Sequence, residues 1–390
     1  MSKKRRSQGL LILSRIWLLA WMLSALGAGI FATHVPWVAK CNQEICFPAF
    51  QNITALLLNQ ELPPEWQNAN TLPNNLEILI PAPVPFSPNQ LDLYGRADFD
   101  KHPLGTDILG RDVLSRILHG ARTALLTGCI AMAFALSLGL TLGGIAGYFG
   151  DDKIQMTGGQ ILVLIPGLIL AWFYGVQIPL QASAWHADSS IFTTLAPVCI
   201  FIGTPIICLL MGRQLQYPAI LKKRYALWLD FWVSRAIEIK QSIPGLFLII
   251  AVSAFLEPSM LMIALLIGFT AWTPIARFVR AELLRIREEN YIQAAEALGF
   301  SGIRIFVRHA LPNALSPVWV LLSFGFAGAI LAEASVSFIQ DQGDAISWGG
   351  MLAAARNDPQ AWWLAVWPGL TLFITLISLH INGENFRDSR

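Results

Sequence analysis

Long stretches without a charged residue divide the chain. A helix needs about 20 mainly apolar residues to cross a bilayer, and eight stretches approach or exceed that length. They are Ile16–Thr33, Thr123–Gly150, Ile154–Ala187, Ser189–Gly212, Gln241–Leu256, Pro258–Ala276, His309–Ala332 and Pro359–Gly383. The shortest, Gln241–Leu256, lies between Lys240 and Glu257. The pattern predicts an all-α membrane protein, a polytopic helical bundle of about eight transmembrane helices.

The charges between these stretches predict the orientation of the chain. Lys3–Arg6 are all basic, and basic residues favour the cytoplasmic side of a membrane. Eight crossings then place Arg213–Arg235 and Arg277–Arg308, both rich in basic residues, on the same side. The segment His34–Lys101 has mostly acidic charges and falls outside. We therefore expect a multi-pass protein with the N- and C-termini in the cytoplasm.

The first apolar stretch has two interpretations. A basic start followed by an apolar segment is typical of a signal peptide, but the apolar part here exceeds the usual length of about 7–15 residues. We expect an uncleaved span, with residues 1–33 as cytoplasmic N-terminus and first helix. Residues 34–122 are then an extracytoplasmic loop and residues 123–390 the transmembrane domain. Within the loop, we expect Asp107–Arg122 to be an amphipathic segment on the outer membrane surface.

The composition excludes several classes of protein. Hydrophobic residues make up 55% of the chain and charged residues 13%, whereas soluble domains carry about 25% charged residues. This excludes a cytosolic enzyme, a disordered regulator and a disulfide-rich secreted module, and the net charge of +2 does not indicate a nucleic-acid partner. Cys41 and Cys46, in the outer loop, form either a disulfide or two free thiols.

The chain has no recognisable catalytic, cofactor or metal motif. It contains no Gly-x4-Gly-Lys-Ser/Thr loop for nucleotide phosphates and no His-Glu-x-x-His zinc motif. Its six histidines are scattered, whereas a metal site needs them clustered with carboxylates or thiolates. We therefore expect no enzymatic activity and no bound cofactor or metal in this chain.

The loop Arg277–Leu311 has the pattern of a helix–turn–helix elbow. The preceding span continues outward as a helix, and Tyr291–Leu298 is a second, Ala-rich helical stretch. Gly299 is expected to end that helix, and Pro312 to open the next span. An ordinary solvated loop has little need for apolar side chains, so we expect a partner-binding surface. Its predicted members are Ala294, Ala295, Ala297, Leu298, Ile305 and Phe306.

Two features inside the spans carry further predictions. Glu333 is an acid within a predicted span, where an ionisable group is expensive and usually functional. It either faces a pathway through the bundle or anchors Ser335 and Ser337 by hydrogen bonds, and we favour the anchoring role. Gly139, Gly143 and Gly147 recur every four residues, which predicts a face for close helix packing.

The elbow resembles a known family. Tyr291–Gly299, followed after nine intervening residues by His309-Ala310-Leu311-Pro312, is similar to the coupling loop ("EAA" motif) of ABC-importer permeases. Gln293 stands where that family usually has Glu, and His309 where it has Ile. The resemblance implies that the elbow contacts a cytoplasmic ATPase. The residues it implicates are Gln293, Ala294, Ala295, Glu296, Gly299, Arg304, Arg308, Leu311 and Pro312.

Three further stretches resemble the dipeptide/oligopeptide/nickel permease subunits of such importers. They are His102–Arg116 with Gly120–Arg122, Ile330–Phe338, and Ser347–Leu352. The first stretch is similar to the outer-loop signature of that subfamily. Its candidate site residues are His102, Gly105, Asp107, Gly110, Arg111 and Asp112.

The chain departs from the subfamily pattern in three places. The family has six spans, whereas this chain carries an extra pair at about residues 160–212. The outer segment Cys41–Pro88 is longer than usual, and Ile339–Gly343 replaces the family's Leu-Gly-x-Gly. These departures leave the substrate range open.

The resemblance implies a type I importer permease that forms half of a transport pathway for peptides or related solutes. The implied partners are a second permease subunit in a heterodimer, two ATPases that bind the ATP, an extracytoplasmic solute-binding protein and the lipid of the bacterial inner membrane. Arg304 and Arg308 then pair with acids on the ATPase or face lipid phosphates. Competing hypotheses are a secondary transporter or channel that works without an ATPase, an intramembrane enzyme and a membrane scaffold.

Overall fold

A computed structural model of the 390-residue chain describes residues 2–41, 44–49, 77–92, 98–151, 155–178, 191–214, 224–255, 259–315, 318–340 and 346–388. The predicted difference from the family at Asp341–Gly343 lies outside these residues. The described helices are α1 (Ser2–Phe31), α2 (Val113–Phe149), α3 (Gly158–Trp172), α4 (Ile191–Gln214), α5 (Leu229–Ser242), α6 (Gly245–Ser253), α7 (Met260–Arg287), α8 (Asn290–Ala297), α9 (Gly302–Ile305), α10 (Leu311–Leu315), α11 (Val318–Gln340), α12 (Trp348–Asn357) and α13 (Trp363–Asp388). Two π-helical turns, Phe173–Gln177 and Phe306–Ala310, follow α3 and α9.

The described helices confirm a polytopic membrane bundle. Six of them are long and apolar enough to cross a membrane: Gln8–Phe31, Val113–Phe149, Gly158–Gly175, Met260–Arg287, Val318–Gln340 and Trp363–Asn385. The pair α5 and α6 qualifies together as a bent seventh candidate, and α4 contains a shorter apolar helix, Cys199–Gly212, where another span is predicted. The total of eight spans stays a prediction.

The predicted span Gln241–Leu256 lies in the bent pair of helices α5 and α6, and whether the pair crosses the membrane stays a prediction. α5 ends at Ser242 and α6 begins at Gly245, at an angle of 79°. Pro244 lies at the break, and proline disfavours helical backbone at the residue before it, here Ile243. Because α6 has nine residues, it is only about 14 Å long, about half of the hydrocarbon thickness of a bilayer.

The predicted amphipathic segment on the outer membrane surface is wrong. From Val113 onward this segment is the start of α2, one continuous helix of 37 residues. Arg111, Asp112 and Arg116 are buried within the protein. The charges that suggested a membrane-surface helix are instead satisfied inside the fold.

The first compact unit consists of residues 1–143 and 237–390. Its core includes Trp21, Val113, Ile117, Ile330, Trp348, Met351, Trp363 and Leu364. The indole of Trp348 donates to the carbonyl of Ile117 (3.0 Å), which joins α12 to α2. In the same unit, β1 (Val38–Cys41) lies between β2 (Glu44–Cys46) and β3 (Glu77–Ile80) in an antiparallel sheet.

Glycines on α2 permit close contact with α7. A Cβ added at Gly139 would lie 2.6 Å from Ile275 Cγ2, and one at Gly143 would collide with the backbone of Ala276. The predicted packing face is therefore confirmed at Gly139 and Gly143, two of its three glycines. The outer-loop Cys46 is disulfide-bonded, whereas Cys129, Cys199 and Cys208 are free.

The second unit, residues 144–236, contains the helices at the position of the predicted extra pair. α3 packs against α4 through small residues: Gly167 faces Cys208, and Gly212 faces the backbone of Gln160. The side chain of Thr157 caps α3 by accepting from the Gln160 N–H. Strands β4 (Gln155–Thr157), directly before α3, and β5 (Arg224–Ala226) pair antiparallel in the same unit.

Candidate functional site

The elbow after α7 is a fixed helix–turn–helix. α7 runs to Arg287, and α8 follows after Glu289. At the end of α8, Gly299 has φ of +79°, its N–H donates to the carbonyl of Glu296 (2.9 Å), and the Phe300 N–H donates to Ala295 (3.2 Å). A Cβ at Gly299 would meet nothing within 4 Å. Glycine is therefore needed here for its backbone conformation and not for space.

The inner face of the elbow packs against the protein. Ile292 and Ala295 are buried one helical turn apart on α8, and Ile305 is fully buried on α9. The prediction that Ala295 and Ile305 belong to an exposed surface is therefore wrong. Their spacing places them beneath the elbow, where Leu283 and Ile286 of α7 are also buried. The elbow consequently has a small apolar core of its own.

The outer face of the elbow exposes large apolar side chains. Leu298 is 74% exposed and Ile303 is 69% exposed, and Phe300 and Val307 are exposed as well. The predicted members Ala294 and Ala297 are also exposed, while Phe306 is half-buried. Sequence reasoning missed Phe300, Ile303 and Val307. The four-residue spacing of Ile303 and Val307 was the available signal, since residues four apart share one helix face.

Polar groups surround this apolar face. The guanidinium of Arg304 lies over the ring of Phe300, 5.8 Å from its centroid, in cation–π geometry. Arg308 and Glu296 are exposed. Gln293 is exposed too, and its amide donates to the carbonyl of Glu288 (3.3 Å). The exposed face thus combines apolar side chains with charged ones.

Ion pairs and hydrogen bonds brace the elbow from both ends. Arg285 at the end of α7 pairs with Glu282 and with Glu289, each at 2.7 Å. Asn313 donates to the hydroxyl of Tyr291 (3.1 Å), which links α10 to α8. Leu311 is half-buried, and Pro312 is exposed in the first turn of α10. A hydrogen bond between α8 and α10 therefore ties the elbow to the short helix that precedes α11 in the sequence.

The predicted outer-loop residues form an internally bonded turn. One carboxylate oxygen of Asp107 accepts from the backbone of Leu109 (3.0 Å) and Arg111 (2.9 Å), and the other accepts from Arg111 Nε at 2.6 Å. Gly105 and Gly110 both have positive φ. A Cβ at Gly105 would lie 2.7 Å from the Trp363 indole. The turn therefore packs directly on α13.

A histidine–aspartate contact fixes the start of α2. His102 is fully buried, and its Nδ1 lies 2.8 Å from Asp112 Oδ2. The other oxygen of Asp112 accepts from the Ser115 N–H (2.6 Å), as a helix N-cap does. The rings of Phe86 and His102 have centroids 4.2 Å apart. His102, Gly105, Asp107, Gly110, Arg111 and Asp112 are thus brought together as one anchor for α2.

Glu333 is buried, with 4% of its surface exposed. Its carboxylate accepts from the Ser337 hydroxyl (2.9 Å) and is also hydrogen-bonded to Ser347. Ser347 in turn caps α12 by accepting from the Gly350 N–H (3.0 Å). The predicted hydrogen bond to Ser337 is therefore present, whereas the choice between anchoring and a pathway role stays a prediction. Ser335 instead donates to the carbonyl of Leu331.

Among the described residues, no group of three or more His, Cys, Asp or Glu side chains is placed to hold a metal ion. A cavity of about 140 Å³ lies beside the outer-loop turn. Its lining includes Asp107, Arg111, Arg116 and Asn357. Two of its charged lining residues, Asp107 and Arg111, are paired with each other. We therefore treat the cavity as part of the anchor of α2.

Comparison with known proteins places the chain in a family. Residues 218–382, which include the elbow, match the model of the binding-protein-dependent transport system inner membrane component. The chain is 28% identical to the dipeptide transport system permease protein DppC of Alkalihalophilus pseudofirmus, over 74% of this chain and 71% of that protein. It is 34% identical to a putative peptide transport system permease protein of Brucella suis, over 50% of this chain and 66% of that protein.

A third relative aligns over more of the chain. The inner membrane ABC transporter permease protein YejE of Escherichia coli is 26% identical over 79% of this chain and 70% of that protein. All of these relatives are permease components of transporters, and the apolar helices described above suit a multi-pass membrane protein. The chain is a membrane permease of the ABC-importer class and belongs to the family of binding-protein-dependent inner membrane components, among its peptide permeases.

Proposed function

We propose that this chain forms half of the pathway of an ATP-driven importer for peptides or related solutes, and that its elbow docks on a cytoplasmic ATPase. The observation that carries the proposal is the pair Leu298 and Ile303, exposed on a turn that is itself rigidly held. Large apolar side chains in such positions are typical of partner surfaces. The names of the relatives, which are peptide and dipeptide permeases, support the substrate class.

The elbow is built to transmit movement. Its inner face packs through Ile292 and Ile305, and Arg285 braces it against Glu289. α7 is continuous from Met260 to Arg287. A displacement of the docked elbow therefore moves α7 as a unit, and nucleotide on the partner biases a two-state rearrangement of the pathway. In this scheme ATP is bound by the partner and this chain supplies no cofactor.

The charges around the docking face suggest how the partner is oriented. Arg304 is held over Phe300, so its charge lies beside the apolar contact. An acidic rim on the ATPase would complement Arg304 and Arg308, whereas lipid phosphates are the alternative partners for Arg308. Gln293, which replaces the usual Glu, contributes a neutral amide. A second permease subunit and an extracytoplasmic binding protein complete the assembly, and both termini of this chain lie in the cytoplasm.

The docking is tested by co-purification. The tagged chain is expressed with its own transport subunits, and Leu298→Glu is compared with Leu298→Ala in mild detergent. A buried carboxylate without a partner is strongly unfavourable, so we expect at least a tenfold lower recovery of ATPase with Glu. The alanine variant removes apolar contact without adding a charge, so it should lose less of the partner than the glutamate variant, and both should insert in the membrane at wild-type level. Equal ATPase recovery with all three chains contradicts docking at this face, and a well-folded chain recovered alone favours a secondary transporter.

A further inference from the structure

Helix α5 has an exposed apolar stripe that the transport mechanism does not use. Trp228, directly before the helix, and Trp232 and Ile239 within it are 58%, 65% and 65% exposed. The spacing of seven residues places Trp232 and Ile239 on one side of the helix, and Trp228 lies at its start. Ala236 is exposed between them. The opposite side carries the polar residues Ser234 and Gln241 together with Ile237, which is buried within the protein. α5 is therefore an amphipathic helix whose apolar side is open.

The aromatic residues at the start of α5 form a small cluster. The ring of Phe231 lies edge-on to Trp228 (6.2 Å between centroids) and to Trp232 (5.7 Å). The guanidinium of Arg235 lies 5.5 Å from the centroid of Phe231. Indole rings with an adjacent cation are typical of the boundary between lipid headgroups and acyl chains, because one part of each side chain is apolar and another is polar.

The backbone holds this cluster in a specific position. Trp228 has φ of +47°, the single positive φ among the non-glycine residues that the structure describes. A bulky residue in this region is strained and persists only where its surroundings fix it. The carbonyl of Trp228 accepts from the Trp232 N–H (3.1 Å), and the Phe231 N–H donates to Asp151 (3.1 Å). A hydrogen-bonded turn thus fixes the position of the aromatic side chains.

The bend after α5 distinguishes a surface helix from a crossing helix. α5 meets α6 at 79°, so only one of the two can follow the membrane normal. α6 contains no charged residue, whereas α5 contains Asp230, Arg235, Glu238 and Lys240. Charged side chains are costly in the bilayer core. The charge distribution therefore sends α6 into the membrane and leaves α5 along its surface.

We propose that α5, with Trp228, lies in the plane of the membrane, its apolar stripe inserted among the phospholipids of the cytoplasmic leaflet. The preceding segment favours anionic headgroups in particular. From Arg213 to Arg235 the sequence contains five basic residues and one acid, Asp230, and basic residues beside a membrane are attracted to anionic lipid. Interfacial helices of this kind bind through apolar burial and such attraction together. This inference does not rest on ATPase docking by the elbow.

Spin labelling measures the depth of α5 directly. Cys129, Cys199 and Cys208 are replaced by Ala, and a nitroxide is attached after Trp232→Cys in the full chain. The protein is reconstituted in nanodiscs of phosphatidylethanolamine and phosphatidylglycerol. Collision with oxygen, which partitions into lipid, is compared with collision with a nickel chelate, which stays in water. We expect the label at 232 to collide with both, as at the headgroup boundary.

Three labelled positions provide the reference values. Gln241 lies nine positions after Trp232, two and a half turns at about 3.6 residues per turn and hence on the opposite side. A label there should collide mainly with the nickel chelate. Ser301 on the elbow should report water, and Leu265 on α7 should report lipid. If the label at 232 matches the one at 301, or collides with neither reagent, the interfacial placement is overturned.

Two further conditions separate lipid from protein partners. Replacing phosphatidylglycerol with phosphatidylcholine should increase nickel collision at 232 at least twofold, and an unchanged value contradicts the role of anionic headgroups. Adding the ATPase subunits should leave the values at 232 unchanged. If nickel collision at 232 falls only when the ATPase is present, the stripe is a protein contact and the lipid proposal is wrong. The Leu298→Glu variant, which tests elbow docking, should not alter the depth at 232.

Discussion

His102 and Asp112 are joined at the point where the outer segment becomes helix α2. One oxygen of the Asp112 carboxylate lies 2.8 Å from His102 Nδ1, and the other accepts from the backbone of Ser115. A single carboxylate therefore fixes both the buried ring and the first turn of the longest described helix. The contact explains how His102 and Asp112, ten positions apart in the sequence, act together in the outer-loop turn.

Removal of that carboxylate should loosen the start of α2. We expect Asp112→Ala to lower the stability of the protein by about 1–3 kcal/mol, because the helix loses its N-cap and His102 loses a buried partner. The measurement is the thermal unfolding midpoint in detergent. Asp100→Ala, at an exposed position of the same segment, is the matched control and should unfold like the wild type. A midpoint unchanged by Asp112→Ala would contradict the capping role.

Substitutions of Gly299 should be tolerated to the extent that the new residue can adopt positive φ. Space is not limiting, since a Cβ there meets nothing within 4 Å. A β-branched residue at φ of +79° is strained by about 1–2 kcal/mol, whereas Asn adopts this region more readily. Gly299→Asn is therefore expected to retain more ATPase in co-purification than Gly299→Val. Equal retention in the two variants would show that the turn geometry does not matter for docking.

Some of this architecture could be predicted from the sequence and some could not. The Ala-rich stretch before Gly299 predicted both α8 and its end, because helix propensity and the glycine signal are local. The burial of Arg111 was not predictable in the same way, since its partner Asp107 satisfies it only once the turn has formed. The count of uncharged residues also gave no sign of the bend at Pro244, because hydropathy does not describe the direction of a helix axis.

Glu333 should contribute through its hydrogen bonds. Glu333→Gln keeps an oxygen that accepts from Ser337, whereas Glu333→Ala leaves the buried hydroxyls of Ser337 and Ser347 without this acceptor. An unsatisfied buried polar group costs about 1–3 kcal/mol. We expect a clearly lower unfolding midpoint for the alanine variant than for the glutamine variant. If solute uptake is lost in Glu333→Gln at unchanged midpoint, the carboxylate faces the pathway and the anchoring interpretation fails.

The contact between α2 and α7 should be sensitive to a single methyl group. A Cβ at Gly143 would collide with the backbone of Ala276, whereas one at Gly328 on α11 meets nothing within 4 Å. Alanine favours a helix over glycine by about 1 kcal/mol, but forced separation of packed helices costs about 1–3 kcal/mol. Gly328→Ala should thus leave the unfolding midpoint unchanged or raised, and Gly143→Ala should lower it. The same shift in both variants would argue against close packing at Gly143.

Ile303 and Ile305 should separate partner binding from stability. They lie two positions apart on α9, yet Ile303 is 69% exposed and Ile305 is fully buried. Truncation of a buried Ile costs about 2–5 kcal/mol, so Ile305→Ala should lower the unfolding midpoint of the chain alone. Ile303→Ala should leave that midpoint unchanged and instead reduce ATPase retention in co-purification. If both substitutions weaken retention only in proportion to lost stability, the exposed face has no docking role. A loss of retention confined to Ile303→Ala would assign the contact to the outer face, because the two side chains have the same size and chemistry and differ only in the surface to which they point.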